Sequence, residues 1–417
     1  MTGNSSLSKV QILIQQKKYA AAEGVLKDLL AQEPNNIHFM ALLAEVNLQQ
    51  DKYDIAKKLV DNAIGLSPDS PHLFYIKARI DAQQERFDDA ENDIRQSIAL
   101  DPYDADYFAW LAHIKLIRKQ YEQALELANQ ALAIDSENLL GLNTRSTALL
   151  KLNKKEESFI TIEGALRKDP NNAYTHANYG WGLLEKGEHK KAMEHFREAL
   201  KKEPTYRYAQ AGMMEALKAR NPIYRLFLKY AFWIGNLTAK YQWGVIIGFY
   251  LGMRVLRLIA ESNKAIQPYL EPLIMAMLLI AISTWVIKPI SNLFLRFNRY
   301  GKFLLTRNEK ISSNFVGGAF AIFVAALLAS FILKDDKYIT IAILGFAMMV
   351  PFSVMLVPSK YNSLLIYAIV MAVTGIAGIA LTFSGGEMFN TVAIIFALEF
   401  VAFQWVANFL MIRANNK

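Results

Sequence analysis

The sequence contains no cysteine, so disulfides, thiolate nucleophiles and cysteine-containing zinc sites are excluded, while the redox compartment is left open. It also has no glycine-rich phosphate loop, no HExxH pair and no Ser-His-Asp candidate set, so no enzyme, no cofactor and no catalytic residue is read from it. Acidic residues are scarce in one half only. Up to Arg220 there are 29 Lys+Arg against 31 Asp+Glu, net −2; from Asn221 onward there are 17 against 7, net +10, which together give the overall +8. The basic excess flanks apolar runs, a membrane signature, and nucleic-acid binding loses its main support. With 417 residues the chain is longer than one compact core usually serves, so at least two domains are expected. Residues 1–8 are polar and have no apolar core, so no secretory signal is read and the first half is expected in the cytoplasm.

What the first half does have is self-similarity. Residues 173–206 carry Gly180, Ala192, Ala199 and Pro204 at unit positions 8, 20, 27 and 32. Stepping back by 34 residues repeats that pattern five times, with Pro34, Pro68, Pro102 and Pro170 at position 32 and Ser136 in place of the fourth proline. Units therefore start at residues 3, 37, 71, 105, 139 and 173. Position 20 reads Ala22, Ala56, Ala90, Ala124, Ser158, Ala192, and position 8 reads Val10, Ala44, Ala78, Ala112, Ser146, Gly180. Small residues let two antiparallel helices approach closely, and the proline ends the second.

This pattern resembles the tetratricopeptide repeat, a 34-residue helix-turn-helix, over residues 3–220. A further start at Arg207 gives one helix to about Arg220, fitting a cap over the last apolar face. The fifth unit matches least well, and local loosening is expected there. The resemblance implies a right-handed superhelix whose first helices line a concave surface. The partner-binding candidates on that surface are His38, Glu45, His72, Tyr75, Arg79, His113, Tyr174, Trp181 and Tyr208, joined by Gln49, Leu116, Lys151 and Glu185. Mixed charge with aromatic rings suits a protein or peptide ligand. The Lys/Asn set with which some relatives grip a chaperone's terminal carboxylate is missing: Asn178 stands alone at position 6, with Asn143 and Thr147 before it and Tyr208 after. His38 and His72 share unit position 2, but no carboxylate column completes a metal site, so none is read.

The second half opens with Asn221-Pro222 and a basic amphipathic stretch at 221–240. As a helix it gathers Arg225, Lys229, Asn236 and Lys240 within roughly 60°. It is read as lying in the membrane interface with its amines on anionic head groups, a lipid role shared by Arg296, Arg299 and Lys302; the alternative is a soluble helix packed against the repeats. Apolar runs follow at about 241–260, 270–287, 315–333, 338–357, 363–383 and 388–412, long enough to cross a bilayer. Gly244, Gly248 and Gly252 form a doubled GxxxG that invites a neighbouring helix. The loop at 288–314 is rich in Lys and Arg, so the positive-inside rule places it in the cytoplasm; the reading is six spans with the repeats and both chain ends inside, and the alternative, if 241–260 does not cross, is five spans with the repeats outside. Within the runs the only acid near a bilayer centre is Glu399, with Gln404 and Asn408 further along the same helix; Arg254 and Arg257 lie near the far end of the first run, and Pro351 falls inside the fourth.

The expectation is therefore an all-α chain, a tetratricopeptide solenoid at 1–220 followed by an interfacial helix and a polytopic transmembrane bundle at 241–417, of a bacterial inner-membrane plan. Its expected function is a membrane-anchored scaffold that recruits a cytoplasmic protein or organises other membrane subunits. The alternative is a transporter or channel with a regulatory repeat domain, which Glu399 keeps open.

Overall fold

The computed structural model describes residues 2–296, 301–357, 362–385 and 387–415, and among these every regular element is helical. Helices α1 (Thr2–Gln15), α2 (Tyr19–Gln32), α3 (Ile37–Leu48), α4 (Tyr53–Leu66), α5 (Pro71–Gln83), α6 (Phe87–Leu100), α7 (Ala105–Ile117), α8 (Tyr121–Ile134), α9 (Leu139–Lys151), α10 (Lys155–Lys168), α11 (Ala173–Lys186) and α12 (His189–Lys202) form six antiparallel pairs. Then come α13 (Arg207–Lys218), α14 (Pro222–Asn236), α15 (Ala239–Ser262), α16 (Gln267–Leu295), α17 (Gly301–Leu304), α18 (Arg307–Leu333), α19 (Lys337–Val354), α20 (Ser363–Phe383) and α21 (Thr391–Asn415). They divide into two compact units, Met1–Tyr179 and Gly180–Lys417.

The repeat register is written into the helix ends. Three residues at unit position 34, Asn36, Asp104 and Asn138, accept a backbone N–H from the first turn of the next helix through their side chains, and Asn172 accepts the Thr175 N–H in the same way at 2.9 Å. Each satisfies a donor that the helix itself leaves unpaired. At unit position 15 the chain turns left-handed in every unit, through Lys17, Asp51, Glu85, Lys119, Asn153 and Gly187. That conformation closes the first helix and lets the second start two residues later. The small residues at positions 8 and 20 are buried in all six units, with Ala44, Ala56, Ala78, Ala90, Ala112 and Ala124 among them.

The fifth unit departs from the expected looseness. Ser146 and Ser158 take the two alanine positions, and each hydroxyl donates to the other residue's backbone carbonyl, at 3.0 and 2.7 Å. Both polar groups are therefore satisfied at a helix crossing built for alanine.

In the second unit, six helices, α15, α16, α18, α19, α20 and the 391–412 stretch of α21, are long and apolar enough to cross a membrane. Much of their apolar surface is exposed: Phe331, Ile332, Ile376 and Leu398 have no covering protein. Helix α19 is the most enclosed of the six. Its Ala347, Met348, Met349 and Val350 form the centre of a core completed by Val316 of α18, Met371 of α20 and Phe403 of α21. Pro351 continues α19 rather than ending it. The carbonyls at its end are used by Ser312 of α18, whose hydroxyl donates to Phe352 O and Ser353 O.

Candidate partner-binding groove

Among the first helices of the repeats, the inward unit positions bring together a continuous polar and aromatic cluster in units two to four. Arg79 pairs with Glu45 at 3.2 Å, and His72 stands 3.7 Å from the same carboxylate. The Arg79 guanidinium lies 5.3 Å from the centre of the Tyr75 ring, a cation–π contact. Tyr75 in turn meets Tyr107 at 5.4 Å and the edge of Trp110 at 6.4 Å, and Trp110 meets His113 at 5.3 Å. Glu45, Arg79 and His113 share unit position 9, so three successive first helices stack one polar residue over the next. Burial pushes the Tyr75 phenol up, partly opposed by Arg79. Trp110 and Tyr107 were not singled out in the sequence because they sit at unit positions 6 and 3; the signal available was their one-turn spacing from His113 and Tyr103-Asp104.

His113 is the chemically unusual member. Burial holds its imidazole down at about 4, and its Nδ1 and the neighbouring Trp110 Nε1 are enclosed without hydrogen-bond partners. A histidine held below its unfolded value stays neutral in the fold while the unfolded chain takes up a proton, so stability is complete above about pH 6.5 and falls as pH drops toward about 4. Chemical denaturation followed by Trp110 fluorescence should show the wild type losing about 2 kcal/mol relative to His113→Leu between pH 7 and pH 4. Parallel pH profiles for the two proteins would remove His113 from the account.

Units five and six are joined by an amide ladder. Asn143 donates to Thr175 Oγ1 at 2.9 Å, and Asn178 donates to Asn143 Oδ1 at 2.9 Å. Burial pushes the phenol of Tyr174 up, partly opposed by a hydrogen bond with Asn178. His38 is exposed, its ring tilted against that of Phe39 with the centres 6.3 Å apart.

Trp181, Glu185 and Tyr208 lie in the second unit and are already engaged. Trp181 packs tilted against Tyr208 at 5.6 Å, meets Phe196 edge-on at 5.8 Å and is crossed at 6.3 Å by Phe232 of α14. Glu185 accepts a hydrogen bond from Asn236 of α14 at 2.9 Å. Glu215, at position 9 of the cap, accepts from Tyr224 of α14 at 2.6 Å and from Lys218 at 3.2 Å. The inward column of the last repeat and cap is thus covered by the chain's own α14.

The lipid-facing candidates are placed differently from one another. Arg225 turns toward the last repeat: its Nε is enclosed, and its charge adds to burial in holding His189 down. Lys229 lies along the Gly187 turn. Arg296 is half-buried and engaged by α18, donating to Asn314 Oδ1 at 2.7 Å and to Ser313 Oγ at 2.9 Å. Lys240 is exposed. Arg299 lies outside the described residues, as does the side chain of Lys302.

A Cβ added at Gly244, Gly248 or Gly252 would meet nothing within 4 Å. The close crossing falls instead at Gly345, where a Cβ would stand 2.9 Å from Ala319 O and Phe323 N. Helix α15 meets α21 through aromatic rings, Trp243 stacking on Trp405 at 5.9 Å and Tyr250 on the same ring at 5.3 Å. Tyr250 also hydrogen-bonds Gln404. Thr374 Oγ1 is 3.3 Å from Glu399 Oε1, while Glu399 Oε2 is enclosed without a partner. Asn408 is half-buried. Among the described residues no group of three or more His, Asp or Glu side chains is arranged to hold a metal ion.

Tetratricopeptide-repeat family models match residues 13–80, 75–138 and 173–206, so this segment carries tetratricopeptide repeats. Similar solved structures include TTC0263, a thermophilic tetratricopeptide protein of Thermus thermophilus, at 17% identity, covering 43% of this chain and 98% of that one with a TM-score of 0.41. A tetratricopeptide repeat protein from Parabacteroides merdae is 13% identical, covering 55% of this chain and 90% of that one, with a TM-score of 0.42. YrrB, described as a tetratricopeptide protein with an unusual peptide-binding site, is 16% identical, covering 45% of this chain and 96% of that one, with a TM-score of 0.32. No curated protein matches the sequence.

Proposed function

We propose that this protein is a membrane-anchored tetratricopeptide scaffold whose repeats receive a cytoplasmic protein segment, while the six apolar helices hold it in the membrane. The observation that carries the reading is the cluster Glu45–Arg79–Tyr75–Trp110, where a charged pair borders aromatic rings on the first-helix side of three consecutive units. Rings of this kind serve as anchors, and a paired Arg and Glu supply both signs of charge for orienting a bound strand or helix. Other membrane subunits and lipids are natural further partners of the apolar helices.

The test uses the full chain in its native membrane, with a photo-crosslinking phenylalanine analogue at His72, beside the cluster, and the same analogue at exposed Ile160 as control. A defined adduct at His72 that is absent at Ile160, and that falls by roughly thirty-fold when Tyr75→Ala is added, is the expected result; about 2 kcal/mol is usual for losing such an anchor. Adducts indifferent to Tyr75 would place the partner elsewhere. A transporter or channel reading rests on Glu399 and its enclosed, unpartnered oxygen; it gains if activity survives in residues 221–417 alone.

A further inference from the structure

Helix α14 is turned inside out for a helix packed against a repeat domain. Its polar side makes the protein contacts already described, through Tyr224 to Glu215, Phe232 to Trp181 and Asn236 to Glu185. Arg225 lies on the same side with its Nε enclosed, and the exposed Lys229 borders it. The opposite side is apolar and uncovered: Ile223 is 67% exposed, Leu226 71%, Tyr230 41% and Trp233 53%. A helix turns such a face outward only when something apolar receives it.

We infer that this face of α14 is buried in the acyl–headgroup boundary of the cytoplasmic leaflet, pressing the last repeat and its cap onto the bilayer surface. The inference rests on the reading that the apolar helices cross a membrane. Three features name the occupant. Helix α15, the first of the six apolar helices, is separated from the end of α14 by only two residues, Leu237 and Thr238. The elbow between them is fixed, because the buried Gln242 side chain donates to Ile234 O and Leu237 O, each at 3.0 Å. Finally, Tyr230 and Trp233 lie side by side at 6.2 Å, and these are the amphipathic rings that settle at the depth of lipid head groups. Because Arg225 is turned toward the last repeat with its Nε enclosed, and the uncovered face is made of Ile223, Leu226, Tyr230 and Trp233, attachment is hydrophobic and does not select anionic lipid.

The absence of native cysteine makes the test direct. Single cysteines at Leu226, Tyr230 and Trp233 of the full chain carry a nitroxide label, with Tyr103→Cys as the water reference and Leu328→Cys on α18 as the lipid reference. The protein is reconstituted in phosphatidylcholine vesicles with and without phosphatidylglycerol, and collision rates with oxygen and with a water-soluble nickel chelate are measured. The expected result is that the three α14 labels favour oxygen as Leu328 does, equally in both vesicles and at high salt. Water-like labels on α14 beside a lipid-like Leu328 overturn the inference and leave the membrane reading intact. A water-like Leu328 overturns both. Labels shielded from both reagents, with spin–spin broadening lost on dilution by unlabelled protein, would seat a second copy there instead and also overturn it. So would a depth that depends on anionic lipid.

Discussion

Gly345→Val is expected to prevent the apolar helices from assembling. A Cβ at this position would stand 2.9 Å from Ala319 O and Phe323 N, both backbone atoms of α18 that no rotamer change can move. The whole crossing of α18 over α19 must then open, and α19 is the enclosed centre of this core. Overpacking of this kind costs about 3 kcal/mol or more where the neighbour cannot give. Loss of the monodisperse peak in size-exclusion chromatography of detergent-solubilised protein is the readout. Gly248→Val is the matched control: it adds the same side chain at a glycine with nothing within 4 Å of its Cβ position, and should be tolerated. Equal damage from the two would mean that the Gly244–Gly252 stripe packs on a second copy or another subunit.

Glu215→Ala is expected to detach the cap from α14. Its carboxylate is the shared acceptor for Tyr224 at 2.6 Å and Lys218 at 3.2 Å, and the Lys218 side chain is only 2% exposed. Removing the acid leaves that ammonium buried and unpaired, a change that costs about 3 kcal/mol. Burial alone would raise the Glu215 carboxyl, but Lys218, Lys288 and the Tyr224 hydroxyl outweigh it and hold it below the usual value. A carboxyl lowered in the fold stabilises above its unfolded value and loses that contribution as pH falls. The wild type should therefore converge on Glu215→Ala in acid. Proteolysis near Arg220, slow in the wild type and fast in the variant at neutral pH, measures the difference; identical cleavage rates would show that the cluster does not hold the cap.

How much of this was legible in the sequence follows from the range of the interactions involved. A repeat is defined by contacts within 34 residues, so the columns at positions 8, 20 and 32 reported the small-residue crossings and helix ends directly, and the caps and left-handed turns fell in the same register. Apolar run length likewise marked the six long helices, because it reflects each helix alone. In the repeats the inward columns brought Glu45, Tyr75, Arg79 and His113 into one cluster, since successive first helices place equal unit positions side by side.

Side-chain neighbours between distant segments were another matter. The fifth unit's serines read as a weakness, yet the hydroxyls are reciprocal partners at 3.0 and 2.7 Å, a pairing that only two helices in place can reveal. The GxxxG stripe carries the composition of a close crossing, but the crossing lies at Gly345, because which glycine meets another backbone depends on the neighbour's position. Arg225 carries the composition of a lipid anchor, while the last repeat encloses its Nε and the apolar side of α14 stays uncovered. Periodicity alone determined that α14 has two faces; the acceptors and rings contributed by Glu215, Glu185 and Trp181 decided which face turns inward, and those partners come from other helices.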